Sequence, residues 1–141
     1  MIAATKKIED LTFDIREKIH AEASLVNTFA ALLEQLGPYN ETDKPMPMVI
    51  EAWPGGRWYR DLGEGNGHFW GTVQAIKRPT LLEFCGPMFM SSPAASNVQY
   101  RLSEEGGGTL IKFRHWAFGM IPDDARAGVQ MGAGATRPRC W

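Results

Sequence analysis

The chain has 141 residues, 44% of them apolar and 22% charged, which is enough for one hydrophobic core of ordinary globular composition. Its 15 basic and 16 acidic residues leave a net charge of −1, and the basic residues form no stripe. This excludes the electrostatic footprint of nucleic-acid binding. No apolar run approaches the ~18 residues that a membrane-spanning helix needs.

The first residues place Lys6-Lys7 behind Met1-Ile2-Ala3 with no apolar segment following, so secretion is not expected. Cys85 and Cys140 are the only cysteines. One falls in an expected strand and the other beside the C-terminus, so the expectation is a reduced, cytoplasmic protein. We read residues 1–141 as one domain.

Residues 11–19 alternate apolar and polar, the pattern of a half-buried strand. The period changes after Glu22. Leu25, Phe29, Leu32, Leu33 and Leu36 then sit at i, i+4, i+7, i+8 and i+11, one face of a helix. Gly37-Pro38 is the expected stop, with the glycine in a left-handed conformation. Residues 39–47 are polar and proline-rich, hence loop.

Residues 48–53 read as a strand, Pro54-Gly55-Gly56 as a corner and 57–61 as the returning strand. Gly63, Gly65 and Gly67 mark a turn or flexible loop before a long strand over 67–76. Three of the five tryptophans, Trp53, Trp58 and Trp70, fall in 48–76. Further strands are expected over 81–85 and 96–102, the latter with Val98, Tyr100 and Leu102 on one face. Residues 104–108 form a hairpin loop, and 109–118 return as the last strand. There Ile111, Phe113, His115 and Ala117 share one face, while Lys112, Arg114 and Trp116 share the other. One helix followed by many strands predicts an α+β fold with an antiparallel sheet.

Several local patterns carry a resemblance. Ile19-His20-Ala21 leads into Leu25-Val26 and Phe29. Residues 48–53 precede Pro54-Gly55-Gly56-Arg57, and Gly67-His68-Phe69-Trp70-Gly71-Thr72-Val73 follows. Pro79, Leu81-Leu82-Glu83 and residues 108–115 complete the set. Over about residues 10–125 the chain resembles the START-like helix-grip superfamily (SRPBCC), and within it the domain shared by activators of the Hsp90 ATPase and many bacterial relatives. The resemblance implies a START/Bet v1-like curved antiparallel sheet, with a helix between strands 1 and 2, gripping a long C-terminal helix. It also implies a cavity for lipids, polyketides or other apolar ligands, cyclase activity in some members and chaperone contact in others.

The tail departs from that family pattern. Residues 126–141 carry Gly128, Gly132 and Gly134 within seven residues and then Pro138, with no apolar stripe. The expectation is a C-terminal helix that is shortened or missing, as a change of reading frame near residue 130 would produce. Such a helix buries ~5 large side chains at ~2 kcal/mol each, comparable with the ~5–15 kcal/mol net stability of a domain. A homodimer or swapped segment is therefore expected to cover the sheet.

Candidate site residues follow from the expected faces. Glu51 lies between Val49 and Trp53. If Trp53 points inward, Glu51 is a buried carboxylate that needs a raised pKa or a partner among Arg57, Tyr59 and His115. The alternative puts Met48, Ile50 and Ala52 inside and Glu51 in solvent. His115, on the apolar face, is either a polar contact in the cavity or a core histidine bonded to backbone or Tyr100. Trp53, Trp58, Trp70, Tyr100, Phe113 and Trp116 could line a cavity or simply fill the core, with some of them on the outer face. Alternation sets Trp58 with Arg60, and Trp70 with His68 and Thr72. Met88, Phe89 and Met90, after Gly86-Pro87, suggest either an exposed cavity mouth or contact surface, or a loop folded over the sheet edge. The glycines at 63, 65 and 67 have the wrong spacing for a phosphate loop. His20, His68, His115, Cys85 and Cys140 lack metal-ligand spacing. Ser91-Ser92-Pro93 reads as an ordinary loop.

No cofactor is expected. The leading expectation is non-enzymatic binding of an apolar small molecule or lipid-like ligand in the cavity. The alternatives are a cyclase- or hydrolase-like enzyme using Glu51 and His115, and a module that activates the Hsp90 ATPase.

Overall fold

The computed structural model describes residues 7–39, 47–124 and 126. A short 3-10 turn at Ile8–Leu11 leads into β1 (Thr12–Ala21), followed by α1 (Leu25–Leu36). The rest of the sheet is β2 (Val49–Ile50), β3 (Arg57–Gly63), β4 (Asn66–Lys77), β5 (Leu81–Gly86), β6 (Ala94–Glu105) and β7 (Gly108–Gly119). The seven strands form one sheet in the order β1-β7-β6-β5-β4-β3-β2, and every paired neighbour is antiparallel. This is the α+β arrangement expected from one helix followed by many strands.

Local chemistry explains the elements. Ser24 caps α1 by accepting from the Asn27 N–H at 3.2 Å, which satisfies one orphan donor of the first turn. Thr28, Phe29, Leu32 and Leu36 are its buried residues, while Leu25 and Leu33 are half-buried against the same core. Thr109 Oγ1 donates to Ala23 O at 2.9 Å and pins the entry of the helix to β7. At the other end the structure corrects the expected glycine stop. Gly37 has φ −112° and is not left-handed. What requires glycine there is close approach: a Cβ would lie 2.9 Å from Leu33 O and 3.1 Å from Ile50 Cγ2.

Both inner hairpins are tighter than the sequence suggests. Glu64 and Gly65, at φ +56° and +78°, make a two-residue turn closed by the Gly63–Asn66 pair. Gly106 and Gly107 do the same between Glu105 and Gly108. Positive φ at both central positions matches the twist of the flanking strands.

Period-two alternation sorts the strands into two faces. The inner face carries Phe13, Ile15 and Ile19 of β1, Leu82 and Phe84 of β5, Val98, Tyr100 and Leu102 of β6, and Ile111 and Phe113 of β7. Against it pack Phe29, Leu32 and Leu36 of α1. The outer face is polar. Arg114 donates from Nε and Nη2 to the two oxygens of Asp14, each at 3.0 Å. The Arg114 guanidinium sits 3.8 Å from the Trp116 ring centroid. Arg114, then Arg16, holds the Asp14 carboxyl below its usual range. The expected loss of a C-terminal helix falls outside the described residues, except that Asp123, Asp124 and Arg126 are helical. Arg126 donates from Nη1 to Thr12 O at 2.8 Å and from Nη2 to Asp10 O at 2.9 Å.

Candidate functional site

The inner face of the sheet is where the sequence-predicted residues converge. Trp58 is buried on β3, stacked on Phe84 at 4.5 Å between centroids. Trp70 meets it edge-on at 5.1 Å and 72°. Alternation along each strand did not relate the faces of these two tryptophans to each other. They meet because the β3–β4 register shifts between Trp58 and Tyr59, so that Trp58 pairs with Gly71 and Tyr59 with Phe69. A bulge turns one extra side chain toward the core, here Trp70. The Trp58 indole Nε1 donates to Leu36 O at 2.8 Å, giving an orphan carbonyl at the end of α1 its partner.

Met88 meets the second of its two expected readings, a loop folded over the sheet edge: it is buried, with its N–H donating to Trp70 O at 2.7 Å. It takes a left-handed φ of +58°, sparsely populated for a non-glycine residue. Room for it comes from Gly71, where a Cβ would lie 3.3 Å from the Met88 Cε. Phe89, beside it in the loop, is exposed at 41%, with its ring 6.2 Å from Trp70.

Tyr100 and Phe113 face each other across β6 and β7 with centroids 5.1 Å apart. Burial pushes the Tyr100 phenol up, so it stays protonated at any physiological pH. His115 is 7% exposed, and its ring meets Phe13 edge-on at 5.1 Å. Burial pushes its imidazole down to about 4, so it is neutral at pH 7. Its Nε2 is buried without a hydrogen-bond partner among the described residues. The Ser96 Oγ is in the same condition, in a residue 4% exposed.

Ser96 pairs with Ala117 and Val98 with His115, so Ser96 and His115 are diagonal neighbours on one face. The sequence reading did not single out Ser96 as a site residue. The signal was present: Ser96 is two residues from Val98 and shares its face with Val98, Tyr100 and Leu102. Phe84 was missed in the same way, two residues from Leu82.

Glu51 and Trp53 do not join this group. β2 ends at Ile50, and Glu51 lies at the corner before β3. Its Oε1 accepts from the Arg57 N–H and Nε, both at 2.8 Å, and its Oε2 accepts from Arg57 Nη2 at 3.0 Å. Of the two outcomes expected, a raised pKa or a partner, the partner is found: the Arg57 guanidinium holds the Glu51 carboxyl down at about 2. Trp53 is 57% exposed, while Met48 is buried and Ile50 half-buried against the core. The alternative face assignment is the one observed. A separate open groove of about 480 Å³ runs along the β3–β4 hairpin, lined by Arg57, Tyr59, Arg60, His68 and Phe69 among others. No helix of the described residues is long and apolar enough to cross a membrane.

Comparisons with known proteins agree with this architecture. The structure of Ara h 8.0201 superposes with a TM-score of 0.65 at 16% identity, covering 89% of this chain and 93% of that one. A protein from Rhizobium leguminosarum does so at 0.66 and 16%, covering 89% of both. The di-domain ARO/CYC StfQ from the steffimycin biosynthetic pathway superposes at 0.66 and 11%, covering 92% of this chain and 48% of StfQ. Identities this low establish the fold alone, a helix-grip fold of the START/Bet v1 kind. No curated protein matches the chain in sequence. The family model described as Activator of Hsp90 ATPase homolog 1-like protein matches residues 28–137. With most of its length so matched, the chain belongs to the Activator of Hsp90 ATPase homolog 1-like family.

Proposed function

We propose that the inner face of the sheet binds an apolar small molecule without turning it over. The observation that carries this reading is the aromatic wall of Trp58, Trp70, Phe84, Tyr100 and Phe113, with uncharged His115 and Ser96 beside it. Apolar walls with a few convergent polar groups are the usual make-up of small-molecule sites. Glu51, the carboxylate that acid/base chemistry would recruit, is engaged by Arg57 at the corner instead. Titration with Nile red, a neutral polarity-sensitive dye, tests the reading. Saturable fluorescence is expected, weakened about tenfold by Trp70→Ala, the equivalent of ~1.4 kcal/mol. A signal that never saturates, together with no small molecule retained in native mass spectrometry, would sink it.

A second reading is cyclase-like turnover, favoured by the likeness to two di-domain ARO/CYC proteins, StfQ and BexL. Turnover of an aromatic polyketide analogue that is abolished in His115→Ala would replace binding with catalysis. The family description also names Hsp90 ATPase activation. Stimulation of an Hsp90 ATPase by the purified protein would move the reading there. A homodimer covering the sheet belongs to the same proposal, and sedimentation as a single chain at micromolar concentration counts against it.

A further inference from the structure

Two polar atoms on the inner face have no partner among the described residues: His115 Nε2 and Ser96 Oγ. Both belong to side chains more than nine-tenths buried. Leaving a buried donor or acceptor unmade costs roughly 1–3 kcal/mol, so two on one face invite a group that satisfies both. Their surroundings are apolar: Phe13 lies against the His115 ring, and Met90, Ala117 and Ile121 cluster with Phe13.

The chemistry of the pair is specific. A serine hydroxyl both donates and accepts, and a neutral imidazole Nε2 does one or the other according to its tautomer. A ligand hydroxyl, which also donates and accepts, completes the set in either case. A carboxylate fits badly. Arg126, the cation near Phe13, spends Nη1 and Nη2 on the main-chain carbonyls of Thr12 and Asp10. An anion brought here would lose its hydration against Phe13, Met90, Ala117 and Ile121, with both Arg126 Nη atoms already engaged among the described residues.

We propose that this end of the inner face is a hydroxyl-recognition subsite, which takes an uncharged aromatic ligand bearing a phenolic or alcoholic OH between Ser96 Oγ and His115 Nε2. The inference rests on the binding reading above and deepens it by naming the ligand class.

Three probes of one shape test it: naphthol, naphthalene and naphthoate, each titrated against the full chain by tryptophan fluorescence and calorimetry at pH 7. Naphthol is expected to bind about ten- to a hundredfold more tightly than naphthalene, and naphthoate more weakly than naphthol. Ser96→Ala, a small change in a buried position, is expected to remove most of the advantage of naphthol over naphthalene. His115→Phe is expected to remove the remainder. Equal affinity of naphthol and naphthalene overturns the subsite but leaves the binding reading intact. Tightest binding of naphthoate overturns it in favour of an anion site. Binding of none of the three, with Nile red also failing to saturate, overturns the binding reading itself.

Discussion

Replacing His115 with phenylalanine should remove a defined pH dependence of stability. The ring sits 7% exposed against Phe13, and burial lowers its pKa from 6.5 to about 4. Folding therefore opposes the charged form. Above pH 6.5 the ring is neutral in both states and contributes nothing. As pH falls below 6.5 the unfolded chain takes up a proton that the folded one refuses, so stability declines until the folded ring titrates near 4. With those two values the loss between pH 7 and pH 5 is about 2 kcal/mol, and about 3 kcal/mol once both forms are protonated. The carboxylates with lowered pKa, Asp14 and Glu51, act in the opposite sense of charge and in a more acid window. Their contribution is present above their ordinary values of 3.8 and 4.5 and is lost only below them. The interval from pH 7 to 5 is thus clear of both. Urea unfolding followed by tryptophan fluorescence at pH 7, 6 and 5 gives the difference between wild type and His115→Phe. That difference should change by about 2 kcal/mol across the interval. A flat difference, or an imidazole resonance that titrates near 6.5, would refute the reasoning.

Other outcomes follow from the same packing. Leu32→Ala, at a position 0% exposed between α1 and the sheet, should cost about 2–5 kcal/mol, read as a lower urea midpoint at unchanged m-value. Trp58→Phe keeps an aromatic ring against Phe84 but leaves Leu36 O unpartnered, and should cost about 1–3 kcal/mol in the same assay. Arg57→Gln should return the Glu51 carboxyl from about 2 toward its ordinary 4.5, measured by carboxyl NMR; a titration that stays near 2 would show that the guanidinium is not the cause.

Much of this fold was legible because alternation runs without interruption where it matters most. β1, β6 and β7 pair in continuous register, so Ile111, Phe113, His115 and Ala117 fall on the inner face as their spacing predicts. The helix face was readable for the same reason. The failures lie where the backbone departs from period two. A register shift brought Trp58 and Trp70 together, and nothing in the residue types announces a bulge at that step. Glu51 stands one residue beyond a two-residue strand, where face assignment by alternation has already ended. Its partner, Arg57, was among those the sequence offered, and it reaches Glu51 from six residues on across the Pro54-Gly55-Gly56 corner. For Met88 the residue types left an exposed mouth and a folded-over loop equally open. It is buried because glycine at 71 leaves space below the loop, a dependence between two segments that local sequence does not encode.

The bond from the Trp58 indole to Leu36 O joins the aromatic wall to the end of the helix. One ring therefore has two attachments, and a ligand that tilts it against Phe84 also releases the last turn of α1. Displacement of the ring and fraying of the helix end would then go together. The backbone N–H of Tyr39, which donates to Glu34 O at 2.9 Å in that same turn, would report it as faster hydrogen exchange. The aromatic wall of the sheet and the end of the helix thus hang on one shared ring.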